Sequence, residues 1–173
     1  MRYVYLYAFI IAAFSLGCTK AKIKNDAEII ESASKINMSP AALWSQYLRN
    51  RIEMTTLAFE DYKKSILGKS IDFTLHRGVP AFDVSRSSSD KHKYRVTLEL
   101  VMGQSMLGTP VGVQTVTLLT NSEIAAQLRK GDGMRVQGII TDINIYPYGD
   151  GIDPLGGPTL KSMELEPAVL TRP

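Results

Sequence analysis

Two histidines, one cysteine and one glycine-rich acidic loop are where this 173-residue chain has material for chemistry. His76 stands beside Arg77 and opposite Phe73 and Leu75 in an alternating run, with Asp72 four residues back on the same side. That spacing suits a histidine base oriented by a carboxylate. No Gly-x-Ser-x-Gly nucleophile and no metal partner accompanies it, so a solvated strand histidine is the simpler reading. His92 belongs to a polar stretch and has no partner that the sequence identifies. Asp150-Gly151-Ile152-Asp153 lies next to Tyr146 and Tyr148. Two carboxylates at that spacing can touch calcium, but an EF-type loop needs more oxygen donors and a late Glu. A plain connection or a binding loop fits better. With one cysteine no intrachain disulfide forms, and Cys18 with two histidines falls short of a zinc ligand set. The expectation is a chain with no catalytic residues, no metal and no cofactor, and hence no enzyme.

These residues need elements to hold them. Ser39-Pro40 is a helix start, a capping hydroxyl followed by a ring preorganised for the first turn. From there to about residue 65 the apolar residues Leu43, Tyr47, Met54, Leu57 and Ala58 recur at three- and four-residue spacing, which predicts one long amphipathic helix closed by Gly68. The period then changes to alternation. Strands are expected through Ile71–Leu75, Tyr94–Leu100 and Val111–Leu119, with polar loop 85–93 between the first two. A short helix capped at Asn121 or Ser122 follows, ended by Gly131-Asp132-Gly133. A fourth strand runs from Met134 to Ile145 with Gly138 as a bulge or tight bend, and a fifth from Thr159 to about Val169. The connection 146–158 is rich in glycine and proline.

The chain opens with Arg2, an uncharged run from Val4 to Leu16, and small residues before Cys18, which is the pattern of a cleavable signal peptide over 1–17. Phe14-Ser15-Leu16-Gly17-Cys18 resembles the lipobox of bacterial lipoproteins, although Ser15 replaces that family's usual leucine. The resemblance implies lipid attachment at Cys18, a palmitate-type anchor facing the periplasm. Thr19 after the cysteine leans toward the outer membrane. Ordinary secretion and an uncleaved anchor helix remain alternatives. Residues 18–38 then read as a tether that starts with Lys20, Lys22 and Lys24, and residues 39–169 as one domain.

The order of helix, three strands, short helix and two strands is that of the OB-fold, a five-stranded Greek-key barrel. The phrase Leu128-Arg129-Lys130-Gly131-Asp132-Gly133-Met134 looks like such a domain's exit from its helix. The segment 41–69, with Leu43, Tyr47 and Asn50 and then Tyr62 to Lys69, is similar to the lead-in of the tRNA-anti-like family of bacterial OB domains. The resemblance implies a mainly β barrel preceded by one long helix.

A net charge of +3 interspersed along the chain lacks the basic stripe of a nucleic-acid binder, and the expected strands are poor in aromatic stacking platforms. Nucleic acid is therefore not the expected partner. The function expected is a lipid-anchored envelope module that binds a protein, peptide or glycan. An architectural subunit of a secretion or conjugation apparatus and a small envelope hydrolase are the alternatives. The ligand surface is expected on loops 85–93 and 146–158, with Arg86, Lys91, Tyr146, Tyr148 and Asp150 at its edge, the two loops lying close together.

Overall fold

The computed structural model describes residues 25–77, 81–88, 90–101, 113–146 and 160–173. Residues 1–24, with the expected signal segment and Cys18, lie outside them, as do Tyr148, Asp150 and Asp153. Helix α1 (Asp26–Ser32) opens with a capping box in which the Asn25 side chain accepts from the Glu28 amide and Glu28 reaches back to the Asn25 amide. Strand β1 (Lys35–Ile36) follows. Residues 25–36, which the sequence reading assigns to the tether, are thus built into the domain.

The long helix expected over 39–65 is two helices. Helix α2 (Pro40–Glu53) is capped by Ser39, whose hydroxyl accepts from the Ala42 amide. Met54 then turns extended, with φ −92° and ψ 154°, and Thr55 caps α3 (Thr56–Ile66) by accepting from Ala58. The apolar periodicity passes over this break and masks the second cap. Gly68 ends α3 at φ +79°, a left-handed conformation that favours glycine, and its amide donates to Ile140 O at 2.9 Å.

The strands are β2 (Ser70–Leu75), β3 (Ala81–Arg86), β4 (Tyr94–Val101), β5 (Val113–Thr120), β6 (Met134–Tyr146) and β7 (Leu160–Thr171). The helix expected after Asn121 is one 3-10 turn, Ala125–Gln127. All strands join one seven-stranded sheet in the order β1-β2-β6-β7-β5-β4-β3. The pairs β1–β2 and β5–β7 are parallel and the others antiparallel. Strands β2 and β3 are neighbours in the chain yet stand near opposite edges. Six Cα steps from Leu75 to Ala81 span at most about 22 Å, whereas five flat strand spacings need about 24 Å, so the sheet curls. No ladder joins β3 to β1 or β2 among the described residues. The expected five-stranded closed barrel behind one long helix is thereby corrected to an open, mixed, seven-stranded sheet with three helices. The added strands β1 and β3 and the broken helix account for the difference.

Pro167 lacks an amide hydrogen and cannot serve in a central ladder. The sheet accommodates it by a bulge: Leu165 pairs with Leu118 and Ala168 with Thr120, so Glu166 and Pro167 together face one residue of β5. Gly138 on β6 lies against this bulge, where an added Cβ would meet the Leu165 Cβ at 2.8 Å. Beneath the sheet, α2 and α3 contribute Trp44, Tyr47 and Phe59 to the core, with Ile71, Leu98, Leu118, Ile140 and Leu165 from the strands. The Tyr47 hydroxyl donates to Ile143 O at 3.2 Å, and its ring meets Phe59 edge-on at 5.0 Å.

Candidate functional site

The register brings one end of every long strand together: the C-terminal ends of β2, β3, β5 and β7 and the N-terminal ends of β4 and β6. The β3–β4 turn lies at this end, and with it a concavity of about 410 Å³ lined by Arg86, Ser87, His92, Lys93 and Tyr94. Arg86, on its wall, and Lys91, in the same turn, are both exposed.

Asn121 holds the turn in place. Its Oδ1 accepts from the Lys93 amide at 3.1 Å, and its Nδ2 donates to Lys91 O at 3.1 Å and to Asp26 Oδ2 at 3.2 Å. A backbone amide only donates and a backbone carbonyl only accepts, so these contacts fix which way the side-chain amide points. Its Nδ2 also faces His92 Nδ1 at 3.4 Å, a third and longer contact for a group with two hydrogens. The other ring nitrogen, Nε2, lies 3.2 Å from Glu166 Oε1, and because a carboxylate only accepts, Nε2 carries a hydrogen and donates it there. His92 is 8 % exposed and held between Asn121 and Glu166, so the imidazole positions the turn.

On the solvent side, Glu123 accepts from Lys93 Nζ at 2.7 Å and from the Tyr94 hydroxyl at 2.9 Å. The Lys93 hydrogen bond, followed by that of Tyr94, holds the Glu123 carboxyl below its usual range. The same contact with Glu123 raises both Lys93 and Tyr94.

Compared with known proteins, the chain matches no family model and no curated protein.

Tyr146 closes β6 opposite Leu160, and Leu160 pairs with Val113, which pairs with Val101. That is the far end of the sheet from Arg86 and Lys91, about 23 Å away along β4. The second loop therefore starts at the other end of the sheet, and the rest of it, with Tyr148 and Asp150, falls outside the described residues, so the expected closeness lies outside them too. His76 is exposed after β2. Asp72 is engaged elsewhere: Arg135 grips it through Nε at 3.0 Å and Nη2 at 2.7 Å, Lys35 at 3.1 Å and Gln137 at 3.3 Å. The pairing of Asp72 with His76 that the spacing allowed is not formed.

The sequence reading missed His92 as a structural centre. Its carboxylate partner is 74 residues away and comes within reach because the β7 bulge lifts Glu166 out of the ladder. A proline two-thirds of the way along a strand that otherwise alternates, Met163 and Leu165 against Ser162, Glu164 and Glu166, is the signal for that bulge.

Proposed function

We propose that this chain is a lipid-anchored, non-enzymatic binding module of the bacterial envelope that faces the periplasm, with the outer membrane the favoured site. Its partner is a protein, peptide or glycan engaged at the β3–β4 end of the sheet, with Arg86 and Lys91 at the contact. One observation carries the reading. Cys18 ends an uncharged run and stands seven residues before Asn25, the cap of α1, and Asp26 of α1 bonds Asn121 at that same end of the sheet. Seven extended residues reach at most about 25 Å, so a lipid on Cys18 keeps this end close to the bilayer.

Metabolic labelling with palmitate tests the anchor. The natural chain takes up label and sediments with membranes, while Cys18→Ala is unlabelled and released. A Cys18→Ala chain that stays in membranes through carbonate washing overturns the lipid anchor in favour of a membrane-embedded N-terminal segment. For the binding role, crosslinking in intact membranes followed by purification yields a stoichiometric partner that is lost in Arg86→Glu/Lys91→Glu.

A further inference from the structure

At the same end of the sheet a second, larger cleft of about 760 Å³ opens between the end of β2, the 3-10 turn and the end of β7. Three arginines line it, Arg77, Arg129 and Arg172, all exposed. The backbone that presents them is tightly constrained. Gly131 at φ +85° sits in a turn in which the Asp132 amide donates to Arg129 O at 3.0 Å, and Asp132 Oδ2 accepts from the Arg129 amide at 2.9 Å. Gly133 lies so close to β2 that an added Cβ would be 3.1 Å from Leu75 O and 3.4 Å from the Arg77 amide nitrogen. Arg172 is steadied by Gln127, whose Oε1 accepts from Nη2 at 3.1 Å. None of the three forms a salt bridge among the described residues. The acidic side chain on the wall is that of Asp132, whose carboxylate is turned to the Arg129 backbone, so positive charge stays in excess among the lining side chains.

We infer that this cleft binds a phosphomonoester. Guanidinium forks match phosphate oxygens in pairs, and three of them suit a dianion with three terminal oxygens. The volume exceeds what a bare phosphate fills, and Ala126 and Leu128 line part of the wall, so the phosphate is carried on a larger group. Two sources share this chemistry, a lipid headgroup and a soluble sugar phosphate. Proximity to the bilayer rests on the anchored-module reading, whereas phosphate recognition does not, and the experiment uses purified protein whether or not Cys18 is acylated.

The test titrates the full chain in neutral detergent, at fixed ionic strength, with α-glucose 1-phosphate, glucose, and dihexanoyl phosphatidic acid below its micelle concentration. Both phosphomonoesters bind and glucose does not. Arg77→Gln and Arg129→Gln each weaken binding by about tenfold, with thermal unfolding unchanged. Arg95→Gln, an exposed β4 position that does not line the cleft, leaves it unaltered. Tighter binding of the short-chain lipid assigns the site to a headgroup, and tighter binding of the sugar phosphate to a soluble ligand. Absence of binding at millimolar ligand, or equal losses in Arg95→Gln, overturns the inference.

Discussion

At the scale of single residues, hydrogen-bond direction decides more than residue type. His92 has no partner that the sequence identifies, and its role is read from Asn121, oriented by one backbone amide and one backbone carbonyl, and from the Glu166 carboxylate, which only accepts. Nitrogen NMR of the imidazole will show the Nε2–H tautomer, and an Nδ1–H pattern would reverse the assignment. Asn121→Ala removes the shared partner of Lys93, Lys91 and His92. It lowers the unfolding free energy by about 1–3 kcal/mol in urea titrations and speeds amide exchange of the β3–β4 turn. Asp72 gives a pH-dependent test. The hydrogen bond from Arg135, with Lys35 beside it, holds its carboxyl far below the usual carboxylate range, against the opposing effect of burial. A carboxyl depressed in the folded state contributes stability that is present above its unfolded pKa of about 4 and is lost as pH falls toward the folded value. Asp72→Asn therefore lowers stability at neutral pH and flattens the decline in strong acid, as read from urea midpoints across that range. An unchanged acid limb would mean that the Arg135–Asp72 pair is not maintained in solution.

At the scale of elements, local signals were legible and non-local ones were not. Alternation marked β2, β4 and β5, and Ser39-Pro40 marked the start of α2, because each rests on residues a few positions apart. The break at Met54 was hidden because apolar spacing continues across it, although Thr55 followed by the Ala58 amide is itself a cap signature. Strand β3 was passed over even though Phe82 and Val84 alternate with Asp83 and Ser85. Strand β1 has only two residues and exists through its parallel partner β2, 35 positions on, which no local pattern announces. Gly138 was legible as an irregularity, and the structure adds the reason, contact with the β7 bulge. Gly138→Val forces atoms into the Leu165 side chain and the Pro167 carbonyl, and is expected to cost about 1–3 kcal/mol or more. Gly68→Ala meets nothing within 4 Å and carries only the strain of its positive φ, about 1 kcal/mol. Equal losses in thermal unfolding for the two variants would argue against the close β6–β7 approach.

At the scale of the molecule, the curled sheet gathers Arg77, Arg86, Arg129 and Arg172 at one end, and α1 enters at that end through Asp26 and Asn121. The candidate site was half legible in the sequence for the same reason. Arg86 and Lys91 stood out in a polar loop, whereas Arg77, Arg129 and Arg172 are scattered along the chain and meet only through the sheet order. This arrangement works only if α1 belongs to the cooperative domain and is not an appendage of the tether. Ile30 is 6 % exposed, α1 packs on β6 and β7, Ser34 O accepts from the Ser70 amide at 2.8 Å, and Lys35 reaches Asp72. These contacts tie residues 25–36 to three separate strands. Ile30→Ala should then shift the single global urea transition by about 2–4 kcal/mol, the usual cost of truncating a buried isoleucine. Amides of β6 and β7 should lose exchange protection together with those of α1, because opening the helix frees the strands it covers. Should only the α1 amides exchange faster while the global midpoint stays fixed, the helix is a separate unit. A lipid on Cys18 would then no longer fix which end of the sheet faces the bilayer.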